Sequence, residues 1–111
     1  MSRKNKKKTQ EIPLLHVYGQ HAWHDEVYIV GNRRGLEILL AAVKQAVKES
    51  RGEVDNLVFT ADGEGYGVIV LRRDDPWPGG WSRVALPYSG DCAQDRRDDV
   101  LRPGDLDWII K

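Results

Sequence analysis

Val27-Tyr-Ile-Val-Gly-Asn-Arg-Arg-Gly-Leu36 predicts a short strand that turns directly into a helix. Its first four residues are β-branched or aromatic, as strand residues commonly are. Asn32 can then cap a helix by accepting a hydrogen bond from a first-turn N–H. Beyond it, apolar residues recur at helical spacing and form one stripe, which consists of Leu36, Leu39, Leu40, Val43 and Val47. We expect this stripe to face the core, and Gly52 to end the helix in the left-handed conformation.

The rest of the chain is predicted to be mostly strands and turns. The predicted strands are 12–18, 26–30, 54–61, 66–72, 81–86 and 105–110, with a hairpin turn at Asp62-Gly-Glu-Gly65. The predicted fold class is α+β: a single small domain whose mostly antiparallel sheet of four to six strands carries one main amphipathic helix on one face. The sheet residues expected to meet the helix are Leu57, Phe59, Ile69, Leu71, Val84 and Leu86.

Length and cysteine content limit the class of protein. A chain of 111 residues has room for one domain, which we place at 11–111. The single cysteine, Cys92, cannot form an intrachain disulfide and fits a reducing compartment. No apolar run approaches the ~20 residues that span a bilayer, and the basic start lacks the apolar region of a secretory signal. We therefore expect a soluble, cytoplasmic protein with no membrane partner.

The net charge of zero hides an asymmetry between the N-terminus and the rest of the chain. Five basic residues and no acidic ones lie within the first eight positions, so the remaining residues hold five more acidic than basic side chains. We predict that residues 1–10 form a disordered basic tail. An acidic body does not favour a nucleic-acid surface, so nucleic acid is an unlikely partner except through this tail.

Loop aromatics and the helix start supply the candidate ligand-binding residues. Arg33 and Arg34 lie in the first helical turn beside Asn32, where the helix dipole favours a bound anion. Loop aromatic residues stack on bases or anchor partners, whereas aromatic residues in strands usually fill cores. The predicted ligand-binding residues are Arg33, Arg34, Asn32, Trp23, His21, His24, Trp77 and Tyr88. Trp108, which precedes Ile109 and Ile110, is expected in the core.

Metal and catalytic chemistry have less support in the sequence. His21, His24 and Asp25 are the local candidates for zinc, but no CxxC or HExxH pattern accompanies them. Ser89 lacks the GxSxG surroundings of an activated nucleophile. We predict no metal, no cofactor and no catalytic residue, and so a non-enzymatic protein.

The strand, the Gly-Asn turn and the Leu-rich helix, about residues 26–50, resemble small proteins encoded by phages and mobile elements. The same segment resembles part of the immunity protein 32 family of polymorphic toxin systems. The resemblance implies a bacterial conflict setting. It does not extend to the second half of the chain.

Two functional hypotheses follow from the sequence. In the first, the protein binds and sequesters a small phosphorylated, nucleotide-derived ligand through the basic helix start, the loop aromatics and the histidines. In the second, it is an immunity or inhibitor protein that neutralises a toxin or host enzyme by direct protein–protein binding. The acid-rich stretch 91–107, with six carboxylates against three arginines, would then cover a basic partner. Formation of a homo-oligomer is a further hypothesis, compatible with either function.

Overall fold

Two helices and short antiparallel strands make up the part of the chain that the structure, a computed structural model, describes: residues 11–54, 57–74 and 80–110. The predicted α+β class is confirmed. In chain order the elements are β1 (Leu15–Tyr18), β2 (Tyr28–Gly31), α1 (Arg33–Glu49), β3 (Arg51–Glu53), β4 (Val58–Phe59), β5 (Gly65–Tyr66), β6 (Ile69–Leu71), a 3₁₀ helix (Gly80–Arg83) and α2 (Pro103–Ile110). The predicted tail at 1–10 and Trp77 lie outside the described residues.

The described strands form three antiparallel two-stranded ladders, β1–β2, β3–β6 and β4–β5, so a single sheet of four to six strands is not confirmed. Side-chain bonds join the β1–β2 ribbon to the β4–β5 hairpin. The Tyr66 hydroxyl donates to the Leu15 carbonyl at 2.5 Å, and the Ala61 N–H donates to His16 Nε2 at 2.9 Å. The hairpin turn predicted at 62–65 is present, between β4 and β5.

Both ends of α1 have the expected kind of cap, but only one has the predicted residue. Asn32 is the N-cap, and its side chain accepts from the Gly35 N–H. At the C-terminus the left-handed residue is Ser50, with φ 76°, whose N–H donates to the Ala46 carbonyl at 2.8 Å. The assignment of Gly52 to this role is wrong, because Gly52 is a buried residue of β3.

The buried face of α1 also differs from the predicted stripe. Its buried residues are Gly35, Ile38, Ala42 and Ala46, whereas Leu36, Leu40, Val43 and Val47 are exposed and Leu39 is half-buried. Small residues bring the backbones together on the buried face: a Cβ on Gly35 would lie 2.0 Å from the Leu14 carbonyl oxygen, and one on Gly52 would lie 1.8 Å from that of Ala42. The close approach of the backbones decides which face of α1 is buried. The face predicted from the larger side chains is therefore wrong.

The hydrophobic core is small and centres on Leu15, Ile38 and Val58. Leu39, Val54, Tyr66 and Val68 pack against it from partly buried positions. Of the sheet residues predicted to meet the helix, Leu57, Ile69 and Leu86 are about half exposed. Val58 is buried where Leu57 was expected, because a shift of one residue along a strand moves a side chain to the opposite face.

The two C-terminal strands predicted at 81–86 and 105–110 are wrong. The first region begins as the 3₁₀ helix, and the second is helix α2. Pro103 occupies the first helical position, where its missing N–H is not needed. The Asp105 carboxylate accepts from the Arg102 N–H at 3.0 Å, just ahead of the helix. These start signals outweigh the strand preference of Trp108, Ile109 and Ile110.

We expect Gly52→Ala to destabilise the fold strongly, by at least about 2 kcal/mol, since a methyl group there overlaps backbone atoms of α1. Gly67→Ala is the matched control, because nothing lies within 4 Å of a Cβ at that position. The measurement is the free energy of unfolding in urea for both variants and the parent. Equal stability of the two variants would contradict the close contact between β3 and α1.

Candidate functional site

Two distant segments, the loop at 19–25 and residues 88–90, lie against each other. The Gly90 N–H donates to the His21 carbonyl at 2.7 Å, and the Ser89 N–H donates to the Gln20 carbonyl at 3.2 Å. Gly90 is buried, and a Cβ there would lie 2.7 Å from both the carbonyl oxygen and Nε2 of His21. Only a glycine at this position allows such an approach. The sequence analysis did not single out Gly90, because its role depends on a partner almost 70 residues away.

This contact brings three of the predicted ligand-binding residues together. Trp23 and Tyr88 meet edge to face, with ring centroids 6.3 Å apart and an interplanar angle of 77°. Trp23 is 55% exposed, while Tyr88 is half-buried. His21 belongs to the same loop. The group of His21, Trp23 and Tyr88, here called the loop aromatic cluster, therefore combines an exposed indole ring with a histidine whose ring lies against Gly90, two residues beyond Tyr88.

The loop that carries the cluster has its own internal bonds. The Asp25 carboxylate accepts from the Ala22 N–H at 3.0 Å, and the Gln20 side-chain amide donates to the Asp25 carbonyl at 3.2 Å. His24 lies between these anchors with φ 71°, a left-handed conformation that is uncommon for residues other than glycine but is enriched among asparagine, aspartate and histidine. The Asp25 side chain therefore stabilises the conformation of this loop.

The helix start holds three more of the predicted residues, Asn32, Arg33 and Arg34. Arg33 and Arg34 both approach the Glu37 carboxylate, with nitrogen–oxygen distances of 4.0 and 3.8 Å, and both side chains are largely open to solvent. Pairs of this kind contribute little to stability. The Asn32 side chain is fully used: Oδ1 accepts from the Gly35 and Leu14 N–H groups, and Nδ2 donates to the Ile12 carbonyl at 2.7 Å. Asn32 therefore acts as a connector of the fold.

The helix start and the loop aromatic cluster lie at opposite ends of the β1–β2 ribbon. In its register Leu15 pairs with Gly31 next to the helix, and Tyr18 pairs with Tyr28 next to the loop. Three strand steps span roughly 10 Å. Among the described residues, no hydrogen bond, ion pair or ring contact joins Arg33 or Arg34 to the cluster. The predicted residues thus form two groups, and Trp77 lies outside the described residues.

A largely apolar, open cleft of about 510 Å³ lies elsewhere in the described part of the chain, between residues 11–14 and 59–63. None of the predicted ligand-binding residues that the structure describes lines it. It is therefore not the site that the sequence analysis expected.

The acid-rich stretch 91–107 is held in place by its own arginines. Guanidinium groups donate to backbone carbonyls three times: Arg96 to Asp91, Arg97 to Ser82 and Arg102 to Arg97. The Asp95 carboxylate accepts from the Arg97 guanidinium and from the Leu86 N–H, and these bonds hold the pKa of Asp95 well below its usual range.

Three carboxylates of this stretch remain open to solvent. Asp91, Asp98 and Asp99 are exposed, and their side chains make no hydrogen bond or ion pair among the described residues. The stretch 91–107 holds six carboxylates against three guanidinium groups, so its net charge is negative.

Helix α2 is anchored by an ion pair and presents a tryptophan outward. The Arg51 guanidinium makes a bidentate contact with the Asp107 carboxylate, at 2.5 and 3.2 Å, which ties α2 to β3. Both side chains are about four-fifths buried, and the contact raises the pKa of Arg51. The next residue, Trp108, is 81% exposed, so its assignment to the core is wrong. None of the residues of α2 is fully buried, and the helical conformation, which the sequence did not predict, leaves Trp108 facing solvent.

The described residues contain no group of three or more His, Cys, Asp or Glu side chains that could hold a metal ion. Nor does this part of the chain include a helix with the length and apolar character needed to cross a membrane. Comparison of the sequence with protein-family models, curated proteins and solved structures finds no match. Function is therefore inferred from the geometry of the described residues alone.

Proposed function

We propose that this chain is a non-enzymatic protein that binds another protein, in the manner of an immunity protein or inhibitor of a toxin or host enzyme. The observation that carries the proposal is the 81% exposure of Trp108 on a helix that is itself firmly anchored. Tryptophan is highly buried on average in folded proteins. It is also among the residues that most often dominate binding energy at protein interfaces.

The surroundings of Trp108 suit a protein partner better than a small molecule. Ile109 and, on the 3₁₀ helix, Trp81 are also about half exposed or more. A bridge between Val84 and Leu101 ties the end of the 3₁₀ helix to the residues that lead into α2. The described cleft does not include any of these residues. Exposed aromatic and aliphatic side chains are enriched at protein interfaces.

The charge of the neighbouring stretch indicates the chemistry of the partner. Asp91, Asp98 and Asp99 leave their carboxylates open to solvent. A basic protein, such as a nuclease-type toxin, would be drawn to these charges, and the attraction would raise its association rate. The aromatic anchor would then supply the short-range affinity. Binding should weaken as salt concentration rises.

We expect Trp108→Ala to weaken the complex at least about 30-fold, since a hot-spot residue contributes ~2 kcal/mol or more. The partner is first captured in producing cells by a photo-crosslinking residue at position 109 of the full chain, which leaves Trp108 in place and replaces an exposed neighbour. Its dissociation constant is then measured by calorimetry at low and high salt. Trp23→Ala is the control, because it removes an exposed tryptophan outside this surface.

Equal losses of affinity for the two variants would contradict a binding surface centred on α2. The absence of any protein crosslinked at position 109, in cells where a crosslinker at an interface residue of a known complex works, would also contradict it.

A second candidate is the sequestration of a small phosphorylated, nucleotide-derived ligand. The observation that favours it is the contact between Trp23 and Tyr88 with His21 beside them, which resembles a stacking platform with a polar group at its edge. Arg33 and Arg34 would supply the phosphate contact from the other end of the ribbon, so the ligand would have to reach roughly 10 Å along β2.

For this candidate we expect Trp23→Ala and Arg33→Ala each to reduce ligand affinity by tenfold or more without unfolding the chain, because both side chains are exposed. Small molecules released from protein purified from its host are identified by mass spectrometry and titrated against each variant. Lys48→Ala, which removes a basic residue at the far end of α1, is the control for net charge. Unchanged affinity in both test variants would exclude the candidate.

A further inference from the structure

Strand β2 has an open edge and exposes apolar side chains. Among the described strands it pairs only with β1. Tyr28, Ile29 and Val30 are about 50–60% exposed. A strand of this kind is a template for pairing with another chain, and proteins normally protect such an edge with charged residues, proline or a covering element. None of these protections is present within β2, whose sequence is Tyr-Ile-Val-Gly.

The hydrogen bonding of the ribbon fixes which backbone groups of β2 point to the open edge. The Asn32 N–H donates to the Leu14 carbonyl at 3.1 Å, next to the paired residues Leu15 and Gly31. Inter-strand bonds alternate along an antiparallel ladder. Ile29 and Gly31 therefore direct their N–H and C=O groups away from β1. Among the described residues nothing accepts from or donates to these groups.

The residues that precede β2 and those that follow it carry opposite charges. Asp25 and Glu26 precede the strand, and Arg33 and Arg34 follow it. If two copies of β2 pair antiparallel, the acidic end of each copy lies beside the basic end of the other. A parallel pairing would instead bring like charges together. The flanking charges thus select the antiparallel arrangement, which is the one that a two-fold axis generates.

We propose that the occupant of this edge is a second copy of the chain, with the two β2 strands paired antiparallel about a two-fold axis near Ile29. Ile29 of each copy then exchanges hydrogen bonds with its equivalent, and the open backbone groups are satisfied. The two ribbons join into one four-stranded sheet. A two-stranded ribbon alone is marginally stable in water, so both copies gain from the added strands.

The exposed stripe of α1 lies beside the same edge. Leu36 Cγ is 3.2 Å from the position that a Cβ on Gly31 would occupy, so the stripe begins next to β2. A two-fold axis through the joined sheet places both α1 helices on the same face. The apolar residues available to the interface are Val27, Tyr28, Ile29, Val30, Leu36, Leu40, Val43 and Val47.

A second copy matches the charge pattern at both ends of the strand at once, since each copy carries the same acid–apolar–base order. An unrelated strand would match the charges at both ends of β2 only if it carried the same order of acidic, apolar and basic residues. The dimer uses neither Trp108 nor the carboxylates of the proposed partner-binding surface, so the two proposals stand separately.

The test is sedimentation equilibrium of the full chain across micromolar concentrations, with amide exchange measured in parallel. We expect a reversible dimer in which the Ile29 and Gly31 amides become protected as concentration rises. Ile29→Lys should raise the dissociation constant at least tenfold. Ile109→Lys is the matched control, because it changes an equally exposed isoleucine on α2.

A charge exchange tests the antiparallel arrangement. Glu26→Lys alone should weaken the dimer, and Glu26→Lys combined with Arg33→Glu should restore it, while Arg33→Glu alone should weaken it. A single-copy mass at every concentration overturns the proposal. So does a dimer that persists unchanged in Ile29→Lys, or protection of the Ile29 amide that arises only when a different protein is added.

Discussion

The side chain of Asn32 connects the start of α1 to the segment that enters β1. Its Oδ1 accepts from the N–H of Gly35 in the first turn of α1 and from that of Leu14 ahead of β1, and its Nδ2 donates to the Ile12 carbonyl. The Asn32 backbone adds a bond to the Leu14 carbonyl. One residue thus ends β2, starts α1 and fixes the chain that enters β1. Because strand and helix follow each other without a loop, the direction of α1 relative to the ribbon depends on these bonds.

A tight approach of backbones completes this arrangement and has a consequence at the surface. Gly35 lies against Leu14, and Gly52 lies against Ala42, so α1 turns its small residues inward. The larger residues of the helix, among them Leu40 and Val47, are left outside. A core built around few large side chains is therefore accompanied by an unusual amount of exposed apolar surface, on α1, on β2 and at Trp108. Exposed apolar patches of this kind often mark surfaces that bind another molecule.

The sequence predicted the elements whose signals are local. The strand predicted at 26–30 and found at Tyr28–Gly31, the Asn32 cap and the existence of α1 all follow from residues within a few positions of one another. The buried face of α1 could not be predicted from side-chain size, since it depends on contacts with Leu14 and with Gly52 in other strands. Helix α2 was mistaken for a strand because its Trp-Ile-Ile residues favour strands, whereas Pro103 and Asp105 favour a helix start. At the loop aromatic cluster, the close approach of residues 88–90 to His21 requires a glycine at position 90. The two residues are far apart in sequence, so no local pattern reveals this contact.

The most direct test of the central role of Asn32 is the free energy of unfolding of Asn32→Ala and Asn32→Asp against the parent chain. Alanine removes all three side-chain bonds, one of which is the helix cap, and should cost about 2–4 kcal/mol, given roughly 0.5–1.5 kcal/mol for each bond. Aspartate keeps the acceptor and loses only the bond to Ile12, so it should cost clearly less than alanine. A loss below about 0.5 kcal/mol for alanine, the size of an ordinary surface substitution, would contradict the account.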